Sequence, residues 1–129
     1  MISEQQAALL AQPNTAVIGV NRANGAPQLT VVWYAWDGKD FFFSTLKDRA
    51  KYKNIKRNPA ISLLVDNSVN HVSVTAYGQA EIIEHDIAEL ARPIIEKYVP
   101  EAQREEALQG IANDPNRVLV VLHPKKIIP

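Results

Sequence analysis

Residues 15–45 read TAVIGVNRANGAPQLTVVWYAWDGKDFFFST, and this stretch decides the fold class. Thr15–Arg22 is rich in β-branched residues and stops at Asn24-Gly25, a hairpin-turn signal. Pro27–Trp36 is aromatic and β-branched and stops at Asp37-Gly38, a second turn signal, before Lys39–Thr45. Three short extended runs joined by two turns predict an antiparallel meander. Phe41–Phe43 and Trp33–Trp36 must alternate between the two faces of a sheet, so some of these aromatics belong to a core. Others are free to offer a stacking surface for a planar ring.

The flanks follow from the same reasoning. Upstream, Ser3 with Gln6 has capping-box spacing and opens a helix that Pro13 ends near Gln12. Downstream, the pattern turns helical, with Asp48 as the expected cap of a helix over Arg49–Arg57 that Asn58-Pro59 terminates. Ala60–Asp66 is a nearly all-apolar strand, Asn67–Asn70 a polar turn, and His71–Glu84 a long strand. Gly78 within it predicts a bulge or a close backbone approach. Ile87, Leu90, Ala91, Ile94, Ile95 and Tyr98 recur at helical spacing. A further helical piece over Glu101–Ala112 leads through Asp114-Pro115 to a last strand, Arg117–His123. The predicted order β-β-β-α-β-β-α-α-β, with short hairpins, argues for a closed or half-closed antiparallel barrel carrying helices on its rim.

At 129 residues the chain suits a single domain, and 47% apolar with 22% charged residues is ordinary for a globular protein. With no cysteine it has no disulfide, thiol nucleophile or thiolate metal ligand. No apolar run is long enough for a membrane-spanning helix, and MISEQQAALLAQ lacks the features of a secretory signal. The expectation is a cytoplasmic protein. Its formal net charge of zero argues against steering to nucleic acid or anionic membrane.

The charge is nevertheless uneven. Residues 47–57 (KDRAKYKNIKR) hold six basic groups against Asp48, and residues 81–106 hold eight acids against three basic residues. The basic stretch begins where a strand ends in Ser44-Thr45 and a helix starts. Helix N-termini carry unpaired N–H groups and partial positive charge, the arrangement phosphate favours. Arg49 can bind two phosphate oxygens, Lys51 adds a mobile charge, and the Ser44 and Thr45 hydroxyls can add hydrogen bonds. A solvated basic helix face explains the same residues, and at this point both readings stand. His71, His85 and His123 are isolated and no metal-ligand spacing occurs, so no metal is expected. No nucleophile elbow, phosphate-binding P-loop or dinucleotide fingerprint is present either, so any chemistry falls to a bound cofactor.

Several segments resemble one family. They are Gly25-Ala-Pro-Gln-Leu29, Trp33-Tyr-Ala-Trp-Asp-Gly38, Arg49-Ala-Lys51, Asn54-Ile-Lys-Arg-Asn-Pro59 and Ile61-Ser-Leu-Leu-Val-Asp66. Together they are similar to the pyridoxamine-phosphate-oxidase-like split-barrel superfamily, and within it to the deazaflavin-dependent oxidoreductases of the flavin/deazaflavin oxidoreductase B group. The resemblance runs from about Ser3 to Pro124, and its most specific part is Arg49 to Pro59. It implies a mainly β fold, a six-stranded antiparallel split β-barrel of Greek-key type with short flanking helices. It also implies a homodimer with two cofactor sites along the subunit interface. Arg49 and Lys51, beside Ser44 and Thr45, would hold the cofactor phosphate, and Pro27, Gln28, Leu29 and Thr30 would lie along the ring. Ala50 and Asn54 complete the implied cofactor-binding set, and the partner's strand around Val74–Tyr77 would close the site.

The implied activity is hydride transfer between the 8-hydroxy-5-deazaflavin coenzyme and an unsaturated small molecule. FMN shares the ring and ribityl-phosphate portion and is the alternative, as a flavin reductase or oxidase; a non-catalytic cofactor or tetrapyrrole binder is a third reading. The vitamin-B6 oxidases carry a C-terminal substrate clamp that this sequence does not show before Pro129, so pyridoxamine-phosphate oxidation is not expected. No catalytic residue is assigned; Tyr34 and Tyr77 are candidate proton donors for which structural roles fit equally well.

Overall fold

A computed structural model describes residues 2–67 and 69–129. Met1, and Ser68 of the expected 67–70 turn, lie outside the described residues. Helix α1 (Glu4–Ala11) is closed by the Ser3/Gln6 capping box. Among the described residues seven strands follow: β1 (Ala16–Val20), β2 (Gln28–Val32), β3 (Ala35–Trp36), β4 (Phe41–Leu46), β5 (Ala60–Asn67), β6 (Val72–Ile83) and β7 (Arg117–Ile128). Helix α2 (Ala50–Arg57) lies between β4 and β5; α3 (Ile87–Tyr98) and α4 (Arg104–Ala112) lie between β6 and β7. The expected helix over Glu101–Ala112 begins with a 3₁₀ turn at Glu101–Gln103. None of the described helices is long and apolar enough to cross a membrane.

All strand pairs are antiparallel, in the order β2-β1-β5-β6-β7-β4-β3. This order corrects the expected meander and the strand count. Pro27–Trp36 is two strands, and they stand at opposite ends of the sheet. Only Trp33 and Tyr34 separate them, so the sheet must curl until its edges meet, which makes the split barrel. The chain leaves strand geometry there because α3 takes over the backbone bonding. The Tyr34 N–H donates to the Tyr98 hydroxyl at 3.4 Å, and Lys97 Nζ donates to the Tyr34 carbonyl at 3.3 Å. Trp33 stacks flat on Tyr98, centroids 4.9 Å apart.

Alternation sorts the strand residues as pleating requires. Phe41, Phe43 and Thr45 face the interior of the barrel, while Phe42, Ser44 and Leu46 face outward. The inner core gathers Leu10, Ile18, Tyr34, Phe41, Phe43, Leu63 and Leu122, each essentially inaccessible to water. Burial of side chains this large contributes roughly 1.5–3 kcal/mol apiece. A second core forms where Ala91 and Ile94 of α3 pack on Ala35 and Leu119, outside the barrel wall.

Two further details differ from the expected boundaries. Asp48 does not cap α2: a turn closed by Arg49 N–H to Leu46 O (3.1 Å) carries the chain one residue further, and Arg49 is the N-cap, without a side-chain hydrogen bond. The last strand runs through Pro124 to Ile128, beyond the expected end at His123. A register shift at Tyr77/Gly78 accommodates the missing proline N–H, and a β-carbon at Gly78 would collide with the His123 carbonyl. The extra residue of the bulge is Lys125 on β7, and Gly78 opposite it provides the close approach that its position predicts.

Candidate functional site

The split leaves two strand edges without sheet partners. β2 is terminal in the order, and β3 covers β4 only at Phe41 and Phe42, leaving Phe43–Leu46 paired on one side alone. Open edges present unpaired backbone donors and acceptors. Between them lies a cavity of about 730 Å³. Val31, Val32 and Trp33 form one wall; Ala91, Ile94, Ile95 and Val99 of α3, with Ala107 and Ile111 of α4, form an apolar roof. Ser44, Lys51 and Arg117 supply a polar, basic end, and Gln103 and Glu106 also line the cavity. The size and the apolar lining with few convergent polar groups suit a small-molecule ligand.

The basic end owes its character to the β4–α2 corner. No side chain caps α2 and no acid sits in its first turn, so its leading N–H groups and dipole remain unanswered. Burial first, and then the Arg49 charge, pushes the Lys51 ammonium below its ordinary pKa, so an incoming anion would restore its preference for the charged form. Three of the other four basic charges of the stretch are engaged elsewhere, and Lys53 is exposed further along α2. Lys47 pairs with Glu84 at 3.1 Å, Lys56 lies over the Tyr52 ring, and Arg57 ties the Asn21 carbonyl to Asn54. Arg49 and Lys51 are left at the corner.

The expected cofactor-binding residues are only partly brought together. Ser44 and Lys51 border the cavity, and Arg49 and Ala50 are exposed at the start of α2 beside it. Gln28 and Asn54 meet through a 3.1 Å hydrogen bond that ties β2 to α2. Thr30 faces inward, and its buried Oγ1 has no hydrogen-bond partner. Thr45, 5% exposed, points into the inner core, because adjacent strand residues cannot share a face. Leu29 lies on the outer sheet surface, 68% exposed, and Pro27 lines a separate cavity of about 400 Å³ with Gly19, Ser62 and Tyr77.

The proton-donor candidates differ. Tyr34 is fully buried and donates to Asn14 Oδ1 at 2.8 Å; burial drives its pKa far up, so it is a structural hydroxyl. Tyr77 is half exposed on the outer sheet face. His123 lies between Glu81 (2.8 Å) and Asp40 (3.1 Å), and His85 beside Asp86 (3.0 Å), each at the surface.

Sequence reasoning missed Val31, Val32, the α3–α4 roof and Arg117. Arg117 stands at the start of β7 and reaches the site because its backbone pairs with Leu46. Its Nη1 donates to Ser44 Oγ at 3.1 Å, while the Ser44 hydroxyl donates to the Val118 carbonyl at 3.1 Å. Its buried Nε has no hydrogen-bond partner, with Asp114 Oδ2 4.0 Å away. No local signal marks this arginine; the β4–β7 register had to be known first.

The site therefore fits a ligand with a phosphate at one end and a planar, largely apolar body at the other.

The sequence profile of pyridoxamine 5′-phosphate oxidase matches residues 2–129. Among solved structures, an F420 reductase is 26% identical with a TM-score of 0.78, the superposition covering 98% of each chain. A conserved hypothetical protein from Mycobacterium tuberculosis is 24% identical with a TM-score of 0.79, covering 98% of this chain and 83% of that one. A putative pyridoxamine 5′-phosphate oxidase from Lactobacillus delbrueckii is 21% identical with a TM-score of 0.70, covering 99% and 93%. The last two likenesses establish the fold alone. No curated protein sequence matches significantly.

Proposed function

The chain belongs to the pyridoxamine 5′-phosphate oxidase family, and on that footing we propose that it is an oxidoreductase that passes hydride from a reduced 8-hydroxy-5-deazaflavin coenzyme to an unsaturated small molecule. The observation that carries this reading is the cavity at the barrel split, where Lys51 and Ser44 meet the apolar wall of Val31–Trp33 beside an uncapped helix N-terminus. The deazaflavin choice draws on the likeness to the F420 reductase, F420 being that coenzyme. When bound, the coenzyme supplies the hydride. The chain's own residues bind and orient. Arg49, Lys51 and the first-turn N–H groups of α2 hold the phosphate, and the α3–α4 roof keeps water from the ring.

A second copy of the chain completes the site in this reading. Leu29 and Val31 of β2, Leu64 of β5 and Tyr77 of β6 form an exposed apolar surface, 68%, 65%, 41% and 49% accessible, on one face of the sheet. Contiguous apolar surface of this kind is typical of an interface. The partner's strand around Val74–Tyr77 is the part expected to close over the cofactor.

FMN is the second reading, favoured by the description of the family itself. A yellow preparation with a flavin spectrum would support it. The decisive test is fluorescence titration of the coenzyme against wild type and the Arg49→Ala/Lys51→Ala double variant. Two charge-assisted contacts at about 1.5–3 kcal/mol each correspond to at least a hundredfold loss of affinity with the fold retained. Equal affinity in the two proteins would sink the proposal.

A further inference from the structure

We infer that Arg117 is a direct anion ligand of the cavity, holding the cofactor phosphate together with Lys51, and that Ser44 acts as a positioning residue that aims it. The inference rests on the reading above and adds a binding residue to it. It begins with the hydrogen-bond capacity of Ser44. A serine hydroxyl has one proton, and here it goes to the Val118 carbonyl at 3.1 Å, while the oxygen accepts from Arg117 Nη1. No donor remains on Ser44 for a phosphate oxygen. The strand-end hydroxyl that points to phosphate in the sequence is, in the fold, a bracket for the arginine beside it.

Arg117 is in the opposite condition. Its guanidinium carries five N–H donors in a rigid fork. One is engaged by Ser44, and the buried Nε has no partner. Asp114 Oδ2, 4.0 Å from Nε, is close enough to hold the guanidinium in place electrostatically and too far to accept its hydrogen. That Nε–H is shut off from the cavity, so the donors left for a ligand are the remaining Nη hydrogens of the fork. Arg117 lines the cavity with Lys51, one entering from the start of β7 and the other from the first turn of α2. Of the charged residues that line the cavity, Lys51 and Arg117 outnumber the carboxylate of Glu106, with Arg49 exposed at the start of the same helix as Lys51; Asp114, Glu84, Asp86 and Glu89 border a separate cavity on the other side of Arg117. The excess positive charge and the forked donor suit a phosphate ester better than a neutral group.

The test compares ligands that differ only by the phosphate. Wild type, Arg117→Gln, Arg117→Lys, Ser44→Ala and Lys51→Ala are titrated, by quenching of ligand fluorescence, with the deazaflavin coenzyme and its dephosphorylated ribityl form, and with FMN and riboflavin. The expected result for Arg117→Gln is an affinity loss of about tenfold or more for the phosphorylated ligands. Affinity for the phosphate-free ligands stays within about twofold. Arg117→Lys and Ser44→Ala lie between, since each keeps the charge but loosens its geometry. Equal losses for phosphorylated and phosphate-free ligands would mean that Arg117 only shapes the pocket, and the inference fails. No loss in Arg117→Gln while Lys51→Ala weakens binding also overturns it, yet leaves the proposed function standing. Wild type that binds none of the four ligands overturns both. Should Arg117→Gln not fold, the phosphate-selective loss is read from Arg117→Lys and Ser44→Ala, and its absence in both is equally contrary.

Discussion

Tyr98→Phe removes a single oxygen from the point where the barrel closes. The hydroxyl donates to the Asn14 carbonyl and accepts from the Tyr34 N–H at 3.4 Å, so its loss leaves two backbone groups without these partners. The ring and its stack on Trp33 remain, which isolates the polar contribution. Tyr34 is inaccessible to water, so its amide gains no compensating solvent bond. Unsatisfied buried groups cost about 1–3 kcal/mol each; with one contact long at 3.4 Å, the sum is about 2–3 kcal/mol. For a chain of this size that corresponds to a fall in Tm of about 6–15 °C. Denaturant unfolding followed by circular dichroism measures the first quantity, and hydrogen exchange at the Tyr34 amide reports the site. A Tm within about 2 °C of wild type, with Tyr34 protection unchanged, would refute the claim that α3 side chains replace sheet hydrogen bonding at Trp33–Tyr34.

Two other outcomes follow from particular residues. Hydrogen bonds to Glu81, then to Asp40, raise the His123 pKa above its ordinary value, so the charged imidazole stabilises the fold below about pH 6.5 and that contribution is lost as pH rises through the elevated folded value; His123→Gln should flatten this part of a stability–pH profile, and a profile identical to wild type would contradict the pairing. Gly78→Ala should cost about 2–4 kcal/mol in equilibrium unfolding, because the added carbon meets the backbone of His123 rather than a movable side chain; a change below about 0.5 kcal/mol would show that the bulge can shift at little cost.

Much of the fold is legible in the sequence wherever local chemistry decides the outcome. The Ser3/Gln6 box, the Asp37-Gly38 turn and the amphipathic stripe of α3 all act within a few residues of themselves, and each forms as its spacing predicts. The break at Trp33–Tyr34 was not legible, because its cause is Lys97 and Tyr98, more than sixty positions downstream. The extension of β7 past Pro124 was hidden for the same reason, as it depends on the missing side chain of Gly78 on the facing strand. The basic corner at Arg49 and Lys51 could be read from charge and context. The apolar roof and Arg117 could not, since they join that corner only through the β4–β7 register and the packing of α3 and α4.

The central claim is that the barrel split holds a phosphorylated flavin-type cofactor, with deazaflavin preferred. Side-by-side titration of wild-type protein with the 8-hydroxy-5-deazaflavin coenzyme and with FMN, read by fluorescence quenching, tests it most directly. The expected result is saturable binding at one site per chain, with the deazaflavin bound more tightly. Tighter binding of FMN would replace the cofactor and keep the site; no saturable binding of either ligand would contradict the claim itself.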